Sequence, residues 1–322
     1  MNDMKNILIM LSPPFLFTKE QLDRACSVAG EYKIVTVKSE DVTEEQIKSA
    51  EIIFGWPNVD ILKNAPYLKW LHLPSAGADR YTDKNIYANR NTILTTSTGT
   101  FGKPMAEHAV SLILAFYRNL HLHVRNGMAA RWERFGNTRD FFGSTVGIIG
   151  LGDIGGETAK RCKALGAKVI AVKRHVSEKP EYVDELYSEQ DINILLENSD
   201  AIVMALPNTV HTKGFLSSER INRMKKNAFI VNLGRGSSID QNALINALKE
   251  NKIAGAGLDV TDPEPLPKDS PLWYLPNVII TSHTSGFSPT SINRCFDIFL
   301  YNLIRYTKNQ ELINTVDFNE GY

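Results

Sequence analysis

The sequence predicts an α/β fold of two doubly wound parallel-sheet lobes, on three observations. The chain's 322 residues exceed what one hydrophobic core usually serves, since domains cluster near ~100–200 residues. Short β-rich runs alternate with helical patterns from the N-terminus onward, which is the signature of parallel strands joined by crossover helices. A second, complete alternating series begins near residue 145.

In chain order, the first series places strands at 6–10, 33–37, 51–54 and 69–73, with helices near 19–29 and 43–49. The apolar stretch Ile7-Leu8-Ile9-Met10 is too short for a signal segment and far below the ~20 residues of a membrane span. A long apolar helix follows, with Pro104 in its first turn and Ala106, Ala109, Val110, Leu112, Ile113, Leu114, Phe116 and Tyr117 along it. It is expected to link the lobes. After a loop around 136–143, strands recur at 145–149, 168–172, 201–205, 228–232, 253–258 and 278–281. Residues 317–322 read as loosely structured, and no repeat or low-complexity tract is evident.

Composition excludes several classes of function. Hydrophobic residues at 43% and charged ones at 22% describe an ordinary globular protein. Thirty-six basic residues balance thirty-six acidic ones, so no general field attracts nucleic acid or an anionic membrane. Cys26, Cys162 and Cys295 are widely spaced and form no C-x-x-C pair, which argues against a disulfide framework or zinc site and for a reducing, cytoplasmic setting.

The most specific local signal is Val146-Gly147-Ile148-Ile149-Gly150-Leu151-Gly152-Asp153-Ile154-Gly155-Gly156. A buried-type strand runs directly into G-x-G-x-x-G and then a helix opened by Asp153 and Ile154. Gly150 permits the tight turn, Gly152 lets a pyrophosphate approach the backbone, and Gly155 allows close helix packing. That context favours dinucleotide binding over glycines that merely turn the chain. After the strand at 168–172, where an NAD-specific site places a ribose-binding acid, stand Lys173, Arg174 and His175. A guanidinium there grips a 2′-phosphate, so NADP(H) is expected over NAD(H). The plainer reading is a solvated basic strand end.

With these residues in view, the chain resembles the D-isomer-specific 2-hydroxyacid dehydrogenase family, which includes glyoxylate/hydroxypyruvate reductases. The resemblance spans nearly the whole chain in fixed order: Ser75-Ala76-Gly77-Ala78-Asp79, Pro104-Met105-Ala106-Glu107-His108, the glycine fingerprint, Ala205-Leu206-Pro207-Asn208-Thr209, Val231-Asn232-Leu233-Gly234-Arg235-Gly236, Gly257-Leu258-Asp259-Val260, Glu264-Pro265-Leu266-Pro267 and Ser282-His283-Thr284-Ser285-Gly286. It implies a Rossmann nucleotide domain at 101–285 inserted into a flavodoxin-like substrate domain of 1–100 plus 286–322. It also implies that a small 2-oxo acid is reduced to its D-2-hydroxy acid. Ser282 departs from the proline that commonly precedes the family's catalytic histidine.

Hydride transfer to a keto carbon builds negative charge on the carbonyl oxygen, so the site needs a proton donor and a cation. By resemblance His283 is the donor, Arg235 binds the substrate carboxylate and polarises the carbonyl, and Glu264 orients His283. Leu206, Pro207, Thr212, Leu233 and Gly234 are implied cofactor contacts, and Asp259 is expected to meet the nicotinamide carboxamide. In the first lobe, the N–H groups of Ala76 and Gly77 are candidates for the substrate carboxylate, and Trp56 for its side-chain pocket. His108, at helical spacing in an apolar run, reads as a packing residue; His121 and His123, two apart, make a poor metal pair, and no metal site is expected. Two readings stand beside reduction of a 2-oxo acid: a nucleotide sensor resembling a corepressor, and a dehydrogenase of formate or phosphite. A homodimer is expected from the resemblance and from the exposed apolar character of the linking helix.

Overall fold

The computed structural model describes residues 5–175 and 178–322. Residues 1–4, which the sequence reading assigns to the first lobe, lie outside the described residues. The chain forms two compact units, one running to Thr100 and resuming at Phe287–Tyr322, the other Phe101–Gly286.

In the first unit, β1 (Asn6–Leu11), α1 (Lys19–Val28), β2 (Lys33–Lys38), α2 (Glu44–Ser49), β3 (Ala50–Phe54), α3 (Val59–Leu62), β4 (Trp70–Leu73) and β5 (Ile93–Thr96) follow in order. The five strands form one parallel sheet in the order β2-β1-β3-β4-β5, the flavodoxin-like arrangement. Helix starts are set locally. Thr18 and Gln21 cap α1 reciprocally, side chain to backbone in both directions, and Thr43 and Gln46 do the same for α2.

The second unit opens with α4 (Gly102–Tyr117) and α5 (Leu120–Met128). Then come β6 (Thr145–Ile149), α6 (Asp153–Ala164), β7 (Lys168–Val172), β8 (Glu185–Tyr187), α7 (Ile192–Asn198), β9 (Ala201–Met204), α8 (Ser218–Asn222), β10 (Phe229–Asn232), α9 (Gln241–Lys249), β11 (Gly255–Leu258) and β12 (Val278–Ile280). All seven strands are parallel in the order β12-β11-β10-β9-β6-β7-β8. This is the Rossmann order, extended by one strand, and it reverses direction between β6 and β9. The chain then returns to the first unit as α10 (Pro289–Thr307), started by a Ser288 capping box and a proline in its first turn.

The ten strands expected from sequence all form, with ends within two residues, and two more appear. β5 is a Thr-rich edge strand, and β8 has only three residues. The final residues differ from expectation as well: Phe318 packs edge-on against Tyr87, and the Asp317 N–H closes a turn onto the Tyr322 carbonyl.

The apolar face of α4 is spent inside its own unit, where Met105, Ala106, Ala109, Val110, Leu112, Ile113 and Tyr117 are buried and Phe116 stacks on Phe229 with ring centres 4.2 Å apart. The exposed apolar stripe lies on α5, at Leu120, Val124 and Met128, spaced by fours and followed by the fully exposed Trp132. The basis for expecting a homodimer therefore moves from α4 to α5.

The first unit's core includes a buried polar chain. His72, on β4, is wholly buried between the hydroxyls of Thr95, 2.7 Å from Nδ1, and Ser97, 3.1 Å from Nε2, and Trp70 Nε1 also donates to Thr95 at 2.8 Å. Burial pushes the His72 pKa down to about 3 from its ordinary 6.5, because no nearby charge compensates the imidazolium. The folded state thus favours the neutral ring. Its contribution to stability is complete above about pH 6.5 and is lost progressively as pH falls toward about 3, by at most ~1.4 kcal/mol per pH unit. Denaturant unfolding at pH 7 and pH 5 should show a stability difference about 2 kcal/mol smaller in His72→Gln than in the wild type. An unchanged difference would remove His72 from the account of acid sensitivity.

Candidate active site

The candidates in the second unit lie along one edge, because each follows the carboxyl end of a strand. In sheet order these are Lys173 and Arg174 after β7, Gly150 and Gly152 after β6, Leu206 and Pro207 after β9, Leu233 to Arg235 after β10, Asp259 after β11, and His283 after β12. Six adjacent strands at about 4.8 Å spacing spread them over about 24 Å. The crevice at the reversal between β6 and β9 is where such sheets receive a dinucleotide.

The glycine turn has the shape that a pyrophosphate needs. Gly150 has φ +93°, and a Cβ there would lie 2.8 Å from the Ala205 carbonyl oxygen. A Cβ on Gly155 would lie 2.0 Å from the Gly150 carbonyl oxygen, so α6 approaches the turn as only glycine permits. Above Gly152 there is open space. Gly152 caps α6 without a side-chain hydrogen bond, and Ile154 in the first turn is half-buried. The unsatisfied N–H groups at the start of α6 therefore face no competing carboxylate cap. Asp153 is turned elsewhere: its Oδ2 accepts from the Gly102 N–H at 2.9 Å, at the start of α4.

Beyond β7, Lys173 is half-buried with its N–H on the Tyr187 carbonyl at 3.1 Å, and Arg174 is exposed. After β9, the half-buried Leu206 approaches the next loop so closely that a Cβ on Gly234 would sit 2.5 Å from the Leu206 carbonyl oxygen. Thr212 Oγ1 donates to the Pro207 carbonyl at 2.6 Å and accepts from the Thr209 N–H, holding that loop closed. Pro207, Thr212, Leu233 and Gly234 thus fall in two loops that touch.

Arg235 is half-buried, and its Nη1 donates to the Gly234 carbonyl at 2.9 Å. Its own carbonyl accepts from Asn232 Nδ2 at 2.9 Å and Ser238 Oγ at 2.7 Å, which fixes the turn that presents the guanidinium. A Cβ on Gly236 would sit 2.0 Å from the Thr261 carbonyl, so this turn lies backbone to backbone against the loop that carries Glu264. Glu264 Oε1 accepts from the Thr261 N–H at 3.1 Å, and its Oε2 lies 2.8 Å from His283 Nδ1. Both side chains are about half exposed. Among the described residues, His283 Nε2 has no hydrogen-bond partner, so the ring's far nitrogen is open to a ligand.

Asp259 is fully covered. Its carboxylate accepts from the Thr281 hydroxyl at 2.6 Å and from the N–H groups of Thr284 and Ser285, both at 3.1 Å, while its carbonyl accepts from the His283 N–H at 2.8 Å. Burial raises the carboxyl's pKa, but the hydrogen bonds from Ser285, Thr281 and Thr284 outweigh it and hold the group below the usual carboxylate range. The side chain has no exposed surface, so its oxygens are taken up by this loop, and the contact with a nicotinamide carboxamide expected from the sequence has no open face on the carboxylate. His283 adopts a left-handed φ of +54° inside this loop.

Sequence reading passed over several of these partners. His108 Nε2 lies 3.0 Å from Thr281 Oγ1 and 3.9 Å from Asp259 Oδ1, a polar role rather than apolar packing. Asn232, Ser238, Thr261 and Thr281 carry no independent signal, because their importance lies in which loops the sheet brings together. His121 and His123 pair with aromatic rings, Phe116 and Phe135, instead of with each other.

The remaining candidates belong to the first unit. Ala76 and Gly77 lie half-buried after β4, and among the described residues neither N–H has an acceptor. Trp56 Nε1 donates to Ser75 Oγ at 3.3 Å, and Ser75 Oγ donates to the Gly77 carbonyl at 2.7 Å. The indole therefore steadies the loop whose N–H groups are free.

Comparison with known proteins gives the family. The profile of the D-isomer specific 2-hydroxyacid dehydrogenase NAD binding domain matches residues 110–285. A glyoxylate reductase of Pyrococcus horikoshii is 34% identical over 266 residues, covering 78% of this chain and 77% of that protein. The crystal structure of a D-isomer specific 2-hydroxyacid dehydrogenase family protein from Aeromonas salmonicida is 30% identical, with a TM-score of 0.84, over 98% of this chain and 99% of that one. A probable 2-hydroxyacid dehydrogenase from Rhizobium etli, solved with NADP, HEPES and tartaric acid, is 26% identical with a TM-score of 0.79, over 99% of each chain. Among the described residues, no helix is long and apolar enough to cross a membrane. The chain belongs to the D-isomer specific 2-hydroxyacid dehydrogenase family and is an NAD(P)-dependent oxidoreductase.

Proposed function

We propose that the protein reduces a small 2-oxo acid to the D-2-hydroxy acid with NADPH, His283 giving the proton. The observation that carries this reading is the 2.8 Å contact between His283 Nδ1 and Glu264 Oε2, with the opposite ring nitrogen unpartnered among the described residues, on the sheet edge that also bears Arg235 and the glycine turn. Bound reduced nicotinamide supplies the hydride. Gly150, Gly152, Gly155 and Ile154 would hold its pyrophosphate, and Leu206, Pro207, Thr212, Leu233 and Gly234 would line its path.

The chain's own residues do the rest. Glu264 accepts from Nδ1–H and so fixes the tautomer and direction of His283, whose Nε2 then delivers a proton to the carbonyl oxygen as charge develops there. Arg235 orients the substrate carboxylate and stabilises the growing oxyanion. In the first unit, the free N–H groups of Ala76 and Gly77 suit a carboxylate. Formate oxidation gives carbon dioxide with no proton moved to or from the substrate, so the His283–Glu264 dyad favours 2-oxo acid reduction over that reading. Lys173 and Arg174 stand in the sequence where an NAD-specific site places an acid, and they support the 2′-phosphate of NADPH; the Rhizobium etli relative was solved with NADP.

Three outcomes are expected. His283→Ala should lower kcat for 2-oxo acid reduction on the order of 10²–10⁴-fold while NADPH, titrated by fluorescence, still binds within a few-fold of wild type; parallel loss of binding and turnover would contradict the assignment. Arg174→Ala should raise KM for NADPH on the order of tenfold or more and leave that for NADH nearly unchanged, since charge-assisted hydrogen bonds contribute about 1.5–3 kcal/mol. Equal effects on both cofactors would defeat the NADPH preference. Sedimentation equilibrium should give twice the 36.0 kDa chain mass, and Val124→Glu with Met128→Glu should return it to the monomer by charging the exposed stripe of α5.

A further inference from the structure

A histidine on α4 opens a chain of hydrogen bonds that ends on the loop carrying His283. His108 lies along α4, and its side chain is 24% exposed. Its Nε2 is 3.0 Å from Thr281 Oγ1 and 3.9 Å from Asp259 Oδ1. Thr281 directly follows β12, where its backbone N–H donates to the Leu258 carbonyl at 2.9 Å. All of these residues belong to the second unit.

The carboxylate sets the direction of every proton in this chain. Asp259 is held below the usual carboxylate range, so its oxygens accept and do not donate. The single hydroxyl proton of Thr281 therefore points at Asp259 Oδ1, 2.6 Å away, which leaves only a lone pair of Oγ1 for His108. To make the 3.0 Å contact, His108 Nε2 must carry a proton. The chain runs one way, from imidazole N–H to hydroxyl and from hydroxyl to carboxylate. Oδ1, the oxygen that receives it, also accepts from the Thr284 N–H at 3.1 Å, and the Asp259 carbonyl accepts from the His283 N–H at 2.8 Å. Thr281 is thus held from two sides, and the carboxylate it meets fastens the backbone on which His283 takes its φ of +54°.

We propose that His108 is a positioning residue for the proton transfer: its Nε2–H steadies Thr281 against Asp259, and Asp259 fastens the loop that aims the His283 imidazole at Glu264. This rests on the reading of His283 as proton donor given above. Because His108 acts through two other residues, its loss should slow turnover and leave the binding of NADPH and of the 2-oxo acid nearly unchanged.

The test compares the wild type with His108→Leu, His108→Gln and Thr281→Val in steady-state reduction of glyoxylate, pyruvate, hydroxypyruvate and 4-methyl-2-oxopentanoate by NADPH, and in amide hydrogen exchange of the whole chain. His108→Leu should lower kcat about tenfold, the scale of one lost hydrogen bond, with KM for the acid and Kd for NADPH within about twofold of wild type. His108→Gln, which returns an N–H donor to the same place, should recover kcat to within about threefold of wild type. Thr281→Val cuts the chain in the middle, so adding His108→Leu to it should cost less than about twofold more. Amide exchange over residues 282–286 should quicken about tenfold in His108→Leu, while that of β6 stays as in the wild type. Unchanged kcat in His108→Leu, unchanged exchange over 282–286, or effects of the two substitutions that multiply would each overturn the positioning role and leave His283 as the proton donor. A wild type that reduces none of these acids overturns the reaction and the role of His108 in it together.

Discussion

One buried carboxylate governs the sheet edge that carries the candidate residues. Asp259 sits at the end of β11 and takes hydrogen bonds from three consecutive residues of the loop after β12, namely His283 through the main-chain carbonyl and Thr284 and Ser285 through the side chain. A non-glycine residue held at positive φ, as His283 is at +54°, costs about 1–2 kcal/mol. Hydrogen bonds to a charged acceptor contribute about 1.5–3 kcal/mol each, so two of them exceed that cost. The loop is held in a shape its sequence would not choose, and that shape brings the imidazole 2.8 Å from Glu264. The hydroxyl of Thr281, with His108 behind it, completes the shell around Asp259.

The same edge is kept narrow by missing side chains. Gly150 and Gly155 let α6 close on the first strand of the nucleotide fold, Gly234 lets the β9 and β10 loops touch, and Gly236 lets the Arg235 turn lie on the backbone of Thr261. Any Cβ at these positions would meet backbone atoms at 2.0 to 2.8 Å, so the loops could not keep their present spacing. Arg235 and Glu264 are separated by 29 positions in sequence, yet this contact puts their loops side by side. The arrangement of His283, Glu264 and Arg235 is thus a consequence of backbone packing as much as of the side chains themselves.

Much of this was legible in the sequence, and the reasons differ by element. The buried strands read clearly because parallel strands covered on both faces are continuous apolar runs, as Val169 to Val172 are. β5 escaped because Ile93-Leu94-Thr95-Thr96 is half threonine, and β8 because three partly exposed residues at a sheet edge carry no period. The glycine turn and the basic residues after β7 stand close together in sequence, so spacing alone exposed them. Asp259 was expected to touch the cofactor, but its work as the anchor of the His283 loop depends on a neighbour 24 positions away that only the sheet supplies. His108 was read as packing because helical periodicity reports which face is covered and says nothing of the hydroxyl waiting there. The apolar α4 looked exposed for a related reason: a long apolar run does not state which unit buries it.

The central claim is that a carbonyl is held between the nicotinamide and His283 in one fixed orientation, with Arg235 setting the direction of its carboxylate. The most direct measurement is the configuration of the product, obtained by chiral separation of the 2-hydroxy acid formed from pyruvate or 4-methyl-2-oxopentanoate with NADPH. A single orientation exposes a single face to hydride and gives a single enantiomer, and membership of the D-isomer specific family makes the D-form the expected one. The L-enantiomer would show that the opposite face meets the hydride, and a racemic product that the carbonyl is not held in one orientation; either would contradict the account.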